Sequence, residues 1–133
     1  MPIAPPPKAT ALLEDAVVVW LTTVAPSGRP QSSPVWFVID DGEFLVYSLA
    51  DTARTRNIAG NPQVSLNLDS NEGGDVVIAD GIARVADGPP STEHPRYQEK
   101  YLAHIERMGY TAQEFAEAYP VPIRIEPTRW RSF

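Results

Sequence analysis

The feature that most restricts the fold of this chain is a set of three short apolar runs separated by only a few turn residues. Residues 17–24 and 31–39 are rich in β-branched and aromatic side chains, and the sequence PSGRP between them is typical of a turn. Asp41-Gly42 follows the second run, and an Asp-Gly pair beside alternating apolar residues is a strong hairpin signal. The third run, residues 43–48, pairs back, so the pattern predicts an antiparallel meander.

Further strands follow after a polar break. Residues 63–68 alternate apolar and polar side chains, which is typical of a strand with one buried face. Residues 76–85 form a longer run in which Asp80-Gly81 predicts a bulge, and residues 121–130 form the last run. Six closely spaced antiparallel strands favour a closed or split barrel over a sandwich. The predicted fold is therefore mainly β with short helices, an α+β chain.

Short helices are predicted between the strands from their capping residues. Asp51 is the predicted N-cap of the second helix, and Thr111 with Glu114 forms a capping box for the last one. The predicted helices cover residues 10–16, 52–59, 91–108 and a short segment from residue 111.

The bulk composition excludes several classes of function. The chain has 133 residues, which suits one domain, and it has no cysteine, which excludes disulfides, thiol catalysis and cysteine-ligated metals. Its net charge is −6 without a basic stripe, so we expect no nucleic-acid partner. No apolar run approaches the roughly 18 residues of a membrane span, and no signal pattern begins the chain. We therefore expect a cytoplasmic protein without a membrane partner.

Proline placement predicts the domain organisation. The chain has 14 prolines, and four of them fall within residues 2–7. A run this rich in proline favours an extended segment over a helix. We expect residues 1–8 to form an extended arm and residues 9–133 to form a single split β-barrel domain.

The segment after the third predicted strand begins a predicted helix with two arginines in its first turns. The first turn of a helix normally favours acidic residues. The free N–H groups and the helix dipole present partial positive charge there, so Arg54 and Arg56 are unfavourable unless an anion compensates. Together with Thr52 and Asn57 they form a candidate phosphate site. Salt bridges on a solvated face explain the same charges, and charge placement alone leaves both readings open. The aspartates available for such bridges are Asp40, Asp41 and Asp51.

A second signal lies in the middle of the second predicted strand, where Ser32-Ser33-Pro34 interrupts an apolar run. A proline gives the sheet no N–H donor, so it is unwelcome in a central strand. Either a ligand lies across this strand and bonds its unpaired backbone groups, or the strand is a bulged edge of the sheet.

A third signal is a group of aromatic side chains in the predicted strands. Such residues are usually core, but a planar cofactor also prefers aromatic walls, and both readings stay open. The group consists of Trp20, Trp36, Phe37, Tyr47 and Trp130.

Metal and nucleophile chemistry find little support in the sequence. His94 and His104 are the only histidines, and their separation by ten residues in a helical segment is not a metal-ligand spacing. No nucleophile elbow, phosphate loop or dinucleotide fingerprint occurs. We expect no metal and assign no catalytic residue.

In the order of its motifs the chain resembles the pyridoxamine 5′-phosphate oxidase-like split-barrel superfamily. The likeness runs from about Leu13 to Phe133 and is carried by WLTTVAPSGRPQSSPVWFVIDDGEFLVYS, DTARTRNIAGNPQVSLNL and DGIARVAD. Within the superfamily the chain is most similar to the coenzyme F420-dependent oxidoreductases of actinobacteria. The resemblance implies a six-stranded antiparallel split barrel that forms a homodimer, with two equivalent cofactor sites in grooves between the subunits.

The same resemblance implies which residues bind the cofactor. Residues 52–57 correspond to the T-A-[KR]-x-R-N motif with which relatives hold the phosphate and acidic tail, and Arg54 stands where many relatives have lysine. Residues 33–36 resemble the strand that lines the deazaflavin ring, and Trp130 approaches from the last strand of the same or the partner subunit. The implied cofactor-binding residues are Ser33, Pro34, Val35, Trp36, Tyr47, Ser48, Thr52, Arg54, Arg56, Asn57 and Trp130.

The implied activity is hydride transfer from reduced F420 to an electrophilic double bond or imine of a small molecule, with the cofactor carrying the reactive chemistry. An FMN-dependent oxidase or reductase on the same barrel is the alternative enzyme. Positive charge beyond the phosphate site, for which Arg29 and Arg84 are candidates, favours F420. Two non-enzymatic functions are also possible. One is a binder of flavin, deazaflavin or haem, with haem bound through His94 or His104. The other is a dimeric scaffold without a ligand.

Overall fold

The structure of the chain, a computed structural model, describes residues 2–133, and position 1 of the predicted arm lies outside them. The strands are β1 (Val19–Val24), β2 (Pro30–Val35), β3 (Val38–Asp40), β4 (Glu43–Ser48), β5 (Gln63–Ser70), β6 (Asp75–Val85) and β7 (Val121–Ser132). The helices are α1 (Pro7–Asp15), α2 (Ala53–Gly60), α3 (Pro95–Arg107) and α4 (Ala112–Ala118), with 3-10 turns at Asn71–Gly73 and Ser91–Glu93. The predicted class, mainly β with short helices, is confirmed.

The described residues form seven strands rather than the predicted six, because the single strand predicted over residues 31–39 is two strands. All seven belong to one sheet in the order β2-β1-β5-β6-β7-β4-β3, so β2 and β3 lie at its opposite edges. Every neighbouring pair is antiparallel. The strand-forming residues continue through the break, so periodicity alone could not reveal the change of pairing partner.

This break curls the sheet into a half-barrel. Only Trp36 and Phe37 separate β2 from β3. Because consecutive Cα atoms are about 3.8 Å apart, this short connection keeps the edge strands β2 and β3 close together where β2 ends and β3 begins. The region where residues 34–37 meet the end of β4 at residues 47–48 is named the seam.

Strand β4 is buried along its whole length because it carries apolar layers on both faces. On one face, Phe44 and Val46 belong to the core inside the half-barrel. On the other face, Leu45 and Tyr47 pack against side chains of α3 and α4. We name this second layer the outer aromatic cluster; it contains Val38, Leu45, Tyr47, Tyr97, Tyr101, Ile105 and Phe115, with Trp36, Tyr110 and Tyr119 packed against it.

Tyr101 forms hydrogen bonds with the backbone at the break between β2 and β3 and with the backbone before β1. Its hydroxyl accepts a hydrogen bond from the Phe37 N–H at 2.9 Å, and it lies 2.7 Å from the carbonyl oxygen of Val17. Its ring stacks on Trp36 with the centroids 4.8 Å apart. Lys100 Nζ donates to the Phe37 carbonyl at 3.1 Å. Helix α3 therefore fixes the backbone at the seam.

Two of the predicted helix starts are shifted. Helix α1 begins at Pro7 rather than Thr10, since proline fits the first position of a helix, and the helix takes residues 7 and 8 from the predicted arm. Helix α2 begins after Thr52, whose side chain is the N-cap; Asp51, the predicted cap, has a left-handed φ of 53°.

The later helices follow their predicted caps more closely. The capping box of Thr111 and Glu114 is present at the start of α4. The helical segment predicted over residues 91–108 is a 3-10 turn followed by α3, whose N-cap is His94 and whose first residue is Pro95. No helix within residues 2–133 has the length and apolar character needed to cross a membrane.

The predicted bulge in β6 is confirmed, since the register with β7 shifts between Asp80 and Gly81. At Gly81 a Cβ would lie 2.7 Å from Ile125 Cγ2 and 3.0 Å from the Glu126 carbonyl oxygen. We expect Gly81→Ala to lower the free energy of unfolding by about 1–2 kcal/mol, because the bulge and β7 would have to move apart. Chemical denaturation measures this loss. Gly60→Ala is the control, since a Cβ there meets nothing within 4 Å and no loss is expected.

Candidate functional site

A cavity of about 200 Å³ opens at the seam between β2, β4 and the helices α3 and α4. Strand residues and a guanidinium form one side, and aromatic side chains form the other. The lining residues are Pro34, Val35, Trp36, Tyr47, Ser48, Leu49, Arg54, Tyr97, Met108, Phe115 and Tyr119. A second hollow, of about 550 Å³ between α1 and α3, contains none of the predicted site residues.

The fold brings most of the predicted strand residues together in this cavity, although they come from distant parts of the chain. The predicted residues that line it are Pro34, Val35, Trp36, Tyr47, Ser48 and Arg54. Ser33 lies beside them, 2.9 Å from Arg54 Nη2. Their contact with a cofactor stays a prediction.

Arg54 reaches the cavity from the first turn of α2. Its Nη1 donates to Ser48 Oγ at 3.1 Å, and its Nη2 donates to Ser33 Oγ at 2.9 Å. Ser48 Oγ in turn donates to the Leu49 carbonyl at 2.9 Å. The two serines therefore hold the guanidinium in place while Arg54 Nε stays buried without a partner.

The charge of Arg54 has no counter-ion within the described residues. Arg56, Arg84 and Arg124 each form a salt bridge with an aspartate or glutamate, whereas Arg54 forms none with any residue from 2 to 133. Burial lowers the pKa of the Arg54 guanidinium from its ordinary value, because desolvation disfavours the charged form. A partly buried cation contacted only by neutral hydroxyls is unfavourable, and a bound anion would relieve this cost.

Thr52 and Asn57 have structural contacts outside the cavity lining. Thr52 Oγ1 accepts the Thr55 N–H at 3.2 Å and so caps α2. Asn57 is buried, and its side-chain amide donates to Thr23 Oγ1 at 3.0 Å and to Gln31 Oε1 at 3.2 Å. Both residues hold α2 in the position from which Arg54 reaches the seam.

Arg56 points away from the cavity. Its Nη1 lies 2.8 Å from the Asp51 carboxylate, and its side chain is 61% exposed, so the salt-bridge reading of the sequence holds for this arginine. Helical periodicity explains the difference, because Arg54 shares a face with the buried residues Asn57 and Ile58 whereas Arg56 lies on the opposite side. The spacing of residues 54, 57 and 58 was a signal that could have separated the two arginines.

Trp130 also lies away from this cavity. Its Nε1 donates to the Ile3 carbonyl at 2.7 Å, and its ring packs against Phe44 with centroids 5.7 Å apart. The Ile3 N–H donates to the Pro127 carbonyl at 3.3 Å. Trp130 therefore fastens the N-terminal segment to β7 within one chain.

Sequence reasoning missed the residues that close the cavity from outside. They come from the end of β4, from α3 with the residue after it, and from α4 with the residue after it: Leu49, Tyr97, Met108, Phe115 and Tyr119. The apolar spacing of residues 97, 101 and 105 does show one buried face of α3. It does not show that this face lies over the seam, which depends on how the helix packs against the sheet.

Strand β2 is an edge strand, so the edge reading of Ser32-Ser33-Pro34 is correct. Its pairing with β1 runs without a register shift, so the bulge proposed with that reading is absent. At the edge of the sheet, the N–H that Pro34 lacks is not needed for pairing with a further strand. Because Pro34 also lines the cavity, the edge position leaves room for a ligand beside it.

The two histidines are placed in structural roles. His94 Nδ1 accepts the Tyr97 N–H at 3.2 Å, and His94 Nε2 lies 3.3 Å from the Asp40 carboxylate. His104 packs edge-on against Trp36, with centroids 5.9 Å apart. Within residues 2–133 no group of three or more metal-ligating side chains occurs.

The two arginines suggested as extra positive charge differ in their surroundings. Arg84 forms two contacts with the Glu43 carboxylate, at 2.7 and 3.0 Å, which neutralises its charge. Arg29 is exposed in the turn before β2. Neither lines the cavity, so among residues 2–133 of one chain Arg54 is the cation that lines it.

Comparisons with known proteins agree with this architecture. The sequence profile described as pyridoxamine 5′-phosphate oxidase matches residues 5–133. Among solved structures, a conserved hypothetical protein from Mycobacterium tuberculosis is 20% identical, with a TM-score of 0.78 over 99% of this chain and 86% of that one. An F420 reductase is 24% identical, with a TM-score of 0.69 over 91% of this chain and 94% of that one.

A haem-storage protein from Vibrio cholerae shares the same fold. It is 19% identical, with a TM-score of 0.66 over 98% of this chain and 94% of that one. Identities this low show a common fold and leave the ligand of the seam cavity to be argued from its own residues.

Proposed function

Since this chain belongs to the pyridoxamine 5′-phosphate oxidase family, we propose that it is an oxidoreductase that binds coenzyme F420 at the seam. In this proposal a hydride passes from reduced F420 to an unsaturated small molecule. The branch of the family is inferred from the sequence motifs, and the similarity to an F420 reductase supports it.

The observation that carries the proposal is the guanidinium of Arg54, which has no counter-ion among residues 2–133 and lies beside an aromatic wall. An anionic group, such as the phosphate of F420, is the ligand that such a cation favours. Trp36 and Phe115 stack with centroids 5.6 Å apart, and a planar ring system packs well beside them. The residues present therefore fit a planar cofactor with a negative tail.

The size of the cavity supports a site shared between two copies of the chain. Its volume of about 200 Å³ is below the roughly 300–1,000 Å³ of most ligand pockets. At its rim, Leu49 is 46% exposed and Met108 is 48% exposed, which leaves apolar surface for a second copy to cover. We propose a homodimer in which the partner subunit completes each cofactor groove.

The chemistry of the proposed reaction divides between cofactor and protein. The cofactor would supply the hydride, and the chain would bind and orient it. Arg54, held by Ser33 and Ser48, would bind the phosphate, and the aromatic wall would exclude water from the ring. We assign no catalytic residue.

Titration of the purified protein with F420, with FMN and with a deazaflavin that lacks the phosphate tests the proposal. We expect saturable binding of F420 and at least about tenfold weaker binding of the compound without phosphate, because the charge-assisted contact to Arg54 is lost. Turnover of reduced F420 with a panel of quinones and enones then measures activity. Equal affinity for F420 and for the deazaflavin without phosphate would show that Arg54 does not bind the phosphate.

FMN is the second candidate cofactor, favoured by one observation. The described residues of one chain line the cavity with a single cation, which matches the single phosphate of FMN, whereas the acidic tail of F420 calls for further positive charge. The same titration separates the two, since FMN binding tighter than F420 binding would assign the protein to the flavin branch. A Soret band in the purified protein would instead indicate haem.

A further inference from the structure

The two edge strands of the sheet differ in how their open sides are covered. At β3, helix α3 reaches the open side: Lys100 Nζ donates to the Phe37 carbonyl at 3.1 Å, and the Arg96 guanidinium donates to the Ile39 carbonyl. Strand β2 is the other edge, and its residues 30–32 and 34 are exposed. An edge strand with free backbone groups can pair with a strand of another molecule, so the open side of β2 is a candidate for such pairing.

The hydrogen-bond pattern of the sheet determines which backbone groups of β2 point outward. The Val76 N–H donates to the Phe133 carbonyl at 2.7 Å, and the Phe133 N–H donates to the Val76 carbonyl at 3.2 Å, so the backbone of Val76 faces the β7 side. Neighbouring residues of a strand direct their backbone groups to opposite sides. Val77 of β6 therefore faces β5, where its partner is Leu68.

The same alternation continues through β5 and β1 to the edge of the sheet. Asn67, next to Leu68, faces β1, where its partner is Trp20. Leu21, next to Trp20, faces β2, where its partner is Ser33. The backbone of Ser33 therefore faces β1, and alternate residues of β2 face away from the sheet. The residues whose backbone groups point outward are Pro30, Ser32 and Pro34.

The turn between β1 and β2 leads to the same assignment independently. The Ala25 N–H donates to the Arg29 carbonyl at 2.9 Å, so this pair is bonded across the hairpin. The next pair, Val24 with Pro30, is then a pair without hydrogen bonds, because bonded and unbonded pairs alternate. Pro34 lies four residues further along β2 and has the same direction. Both prolines therefore lie where their missing N–H removes no bond to β1.

The open side of β2 is consequently poor in hydrogen-bond donors. It presents the carbonyl oxygens of Pro30, Ser32 and Pro34, but proline has no N–H, so the Ser32 N–H is the only outward donor of this strand. A further strand needs both donors and acceptors along the edge with which it pairs. Prolines on edge strands prevent this kind of pairing in other proteins.

We propose that Pro30 and Pro34 close the edge of β2 to strand pairing with a second copy of the chain and so keep the seam accessible. Pro34 and Val35 line the seam cavity, so a strand added to this edge would lie against the wall of the cavity. The proposed homodimer covers apolar side chains at the cavity rim and needs no such pairing. The role of the two prolines is independent of which molecule the cavity binds.

The double variant Pro30→Thr with Pro34→Thr tests the proposal, because it restores both outward N–H groups with a residue that favours strands. We expect species of at least about twice the wild-type mass at concentrations where the wild type keeps a single size. Sedimentation velocity measures the mass, and circular dichroism of dilute samples checks the fold. In dilute protein the new amides at positions 30 and 34 should exchange with solvent as fast as unprotected amides, measured by NMR.

Two further variants locate the surface that associates. Adding Ser32→Pro to the double variant places a proline at the centre of the same open side and should restore the wild-type mass. Pro26→Thr, in the turn before β2, is the matched control and should leave the mass unchanged. A double variant of wild-type mass would overturn the proposal, as would association that Ser32→Pro leaves in place. Slow exchange of the two new amides in dilute protein would overturn it as well, because they would then face β1.

Discussion

Replacing Arg54 by Glu is expected to weaken F420 binding by about 100-fold or more, which corresponds to ~3 kcal/mol. The change places a negative charge where the structure has a partly buried cation that no carboxylate of the described residues pairs with. A phosphate that was attracted would then be repelled at short range. Fluorescence titration of the deazaflavin measures the loss, and circular dichroism checks that the variant is folded.

Arg56→Glu is the matched control, because it makes the same change of charge two residues away. Arg56 is exposed and pairs with Asp51, so its field at the cavity is screened by water and salt. We expect less than about a threefold change in affinity, since exposed pairs contribute little. Similar losses for the two variants would show that the site responds only to net charge and would contradict the role given to Arg54.

Tyr101→Phe is expected to lower the free energy of unfolding by about 2–3 kcal/mol. The change removes the acceptor of the buried Phe37 N–H and the donor to the partly buried Val17 carbonyl, and an unsatisfied buried group costs about 1–3 kcal/mol. For a chain of this size the loss corresponds to a fall in Tm of roughly 5–10 °C. Thermal and urea denaturation of the free protein measure it.

Tyr110→Phe is the comparison, because no hydrogen bond of the Tyr110 hydroxyl occurs within residues 2–133 and the ring packs against the same cluster. Its stability should stay within about 0.5 kcal/mol of the wild type. Tyr97→Phe should likewise cause no loss of stability, because the buried Tyr97 Oη has no hydrogen-bond partner among residues 2–133. A Tyr101→Phe protein as stable as these two would show that the break between β2 and β3 does not depend on α3.

Local chemistry allowed the sequence to predict the strands and turns well. The Asp41-Gly42 hairpin, the bulge at Gly81 and the capping box of Thr111 with Glu114 each depend on residues close together in the chain, and the structure contains all of them. The break after Val35 depends on which strand pairs with which. That choice is tertiary, so a run of strand-forming residues did not reveal it.

The sequence predicted only the part of the candidate site that local motifs specify. Arg54 and the strand residues beside it carry a motif, and a motif is readable without the fold. Tyr97 and Phe115 reach the cavity only because α3 and α4 pack over the seam, and nothing in their own segments specifies that partner. Arg56 was grouped with Arg54 because both belong to one motif, although helical periodicity places them on opposite faces.

Trp36 allows the central claim, a cofactor bound at the seam beside Arg54, to be measured directly. It is one of three tryptophans in the chain and the one that lines the cavity. Replacing Trp20 and Trp130 by Phe leaves its emission as the only tryptophan signal. We predict that F420 quenches this emission saturably and that Arg54→Glu abolishes the quenching at the same concentrations. Emission from Trp36 that stays unchanged while F420 binds would place the cofactor elsewhere and contradict the account.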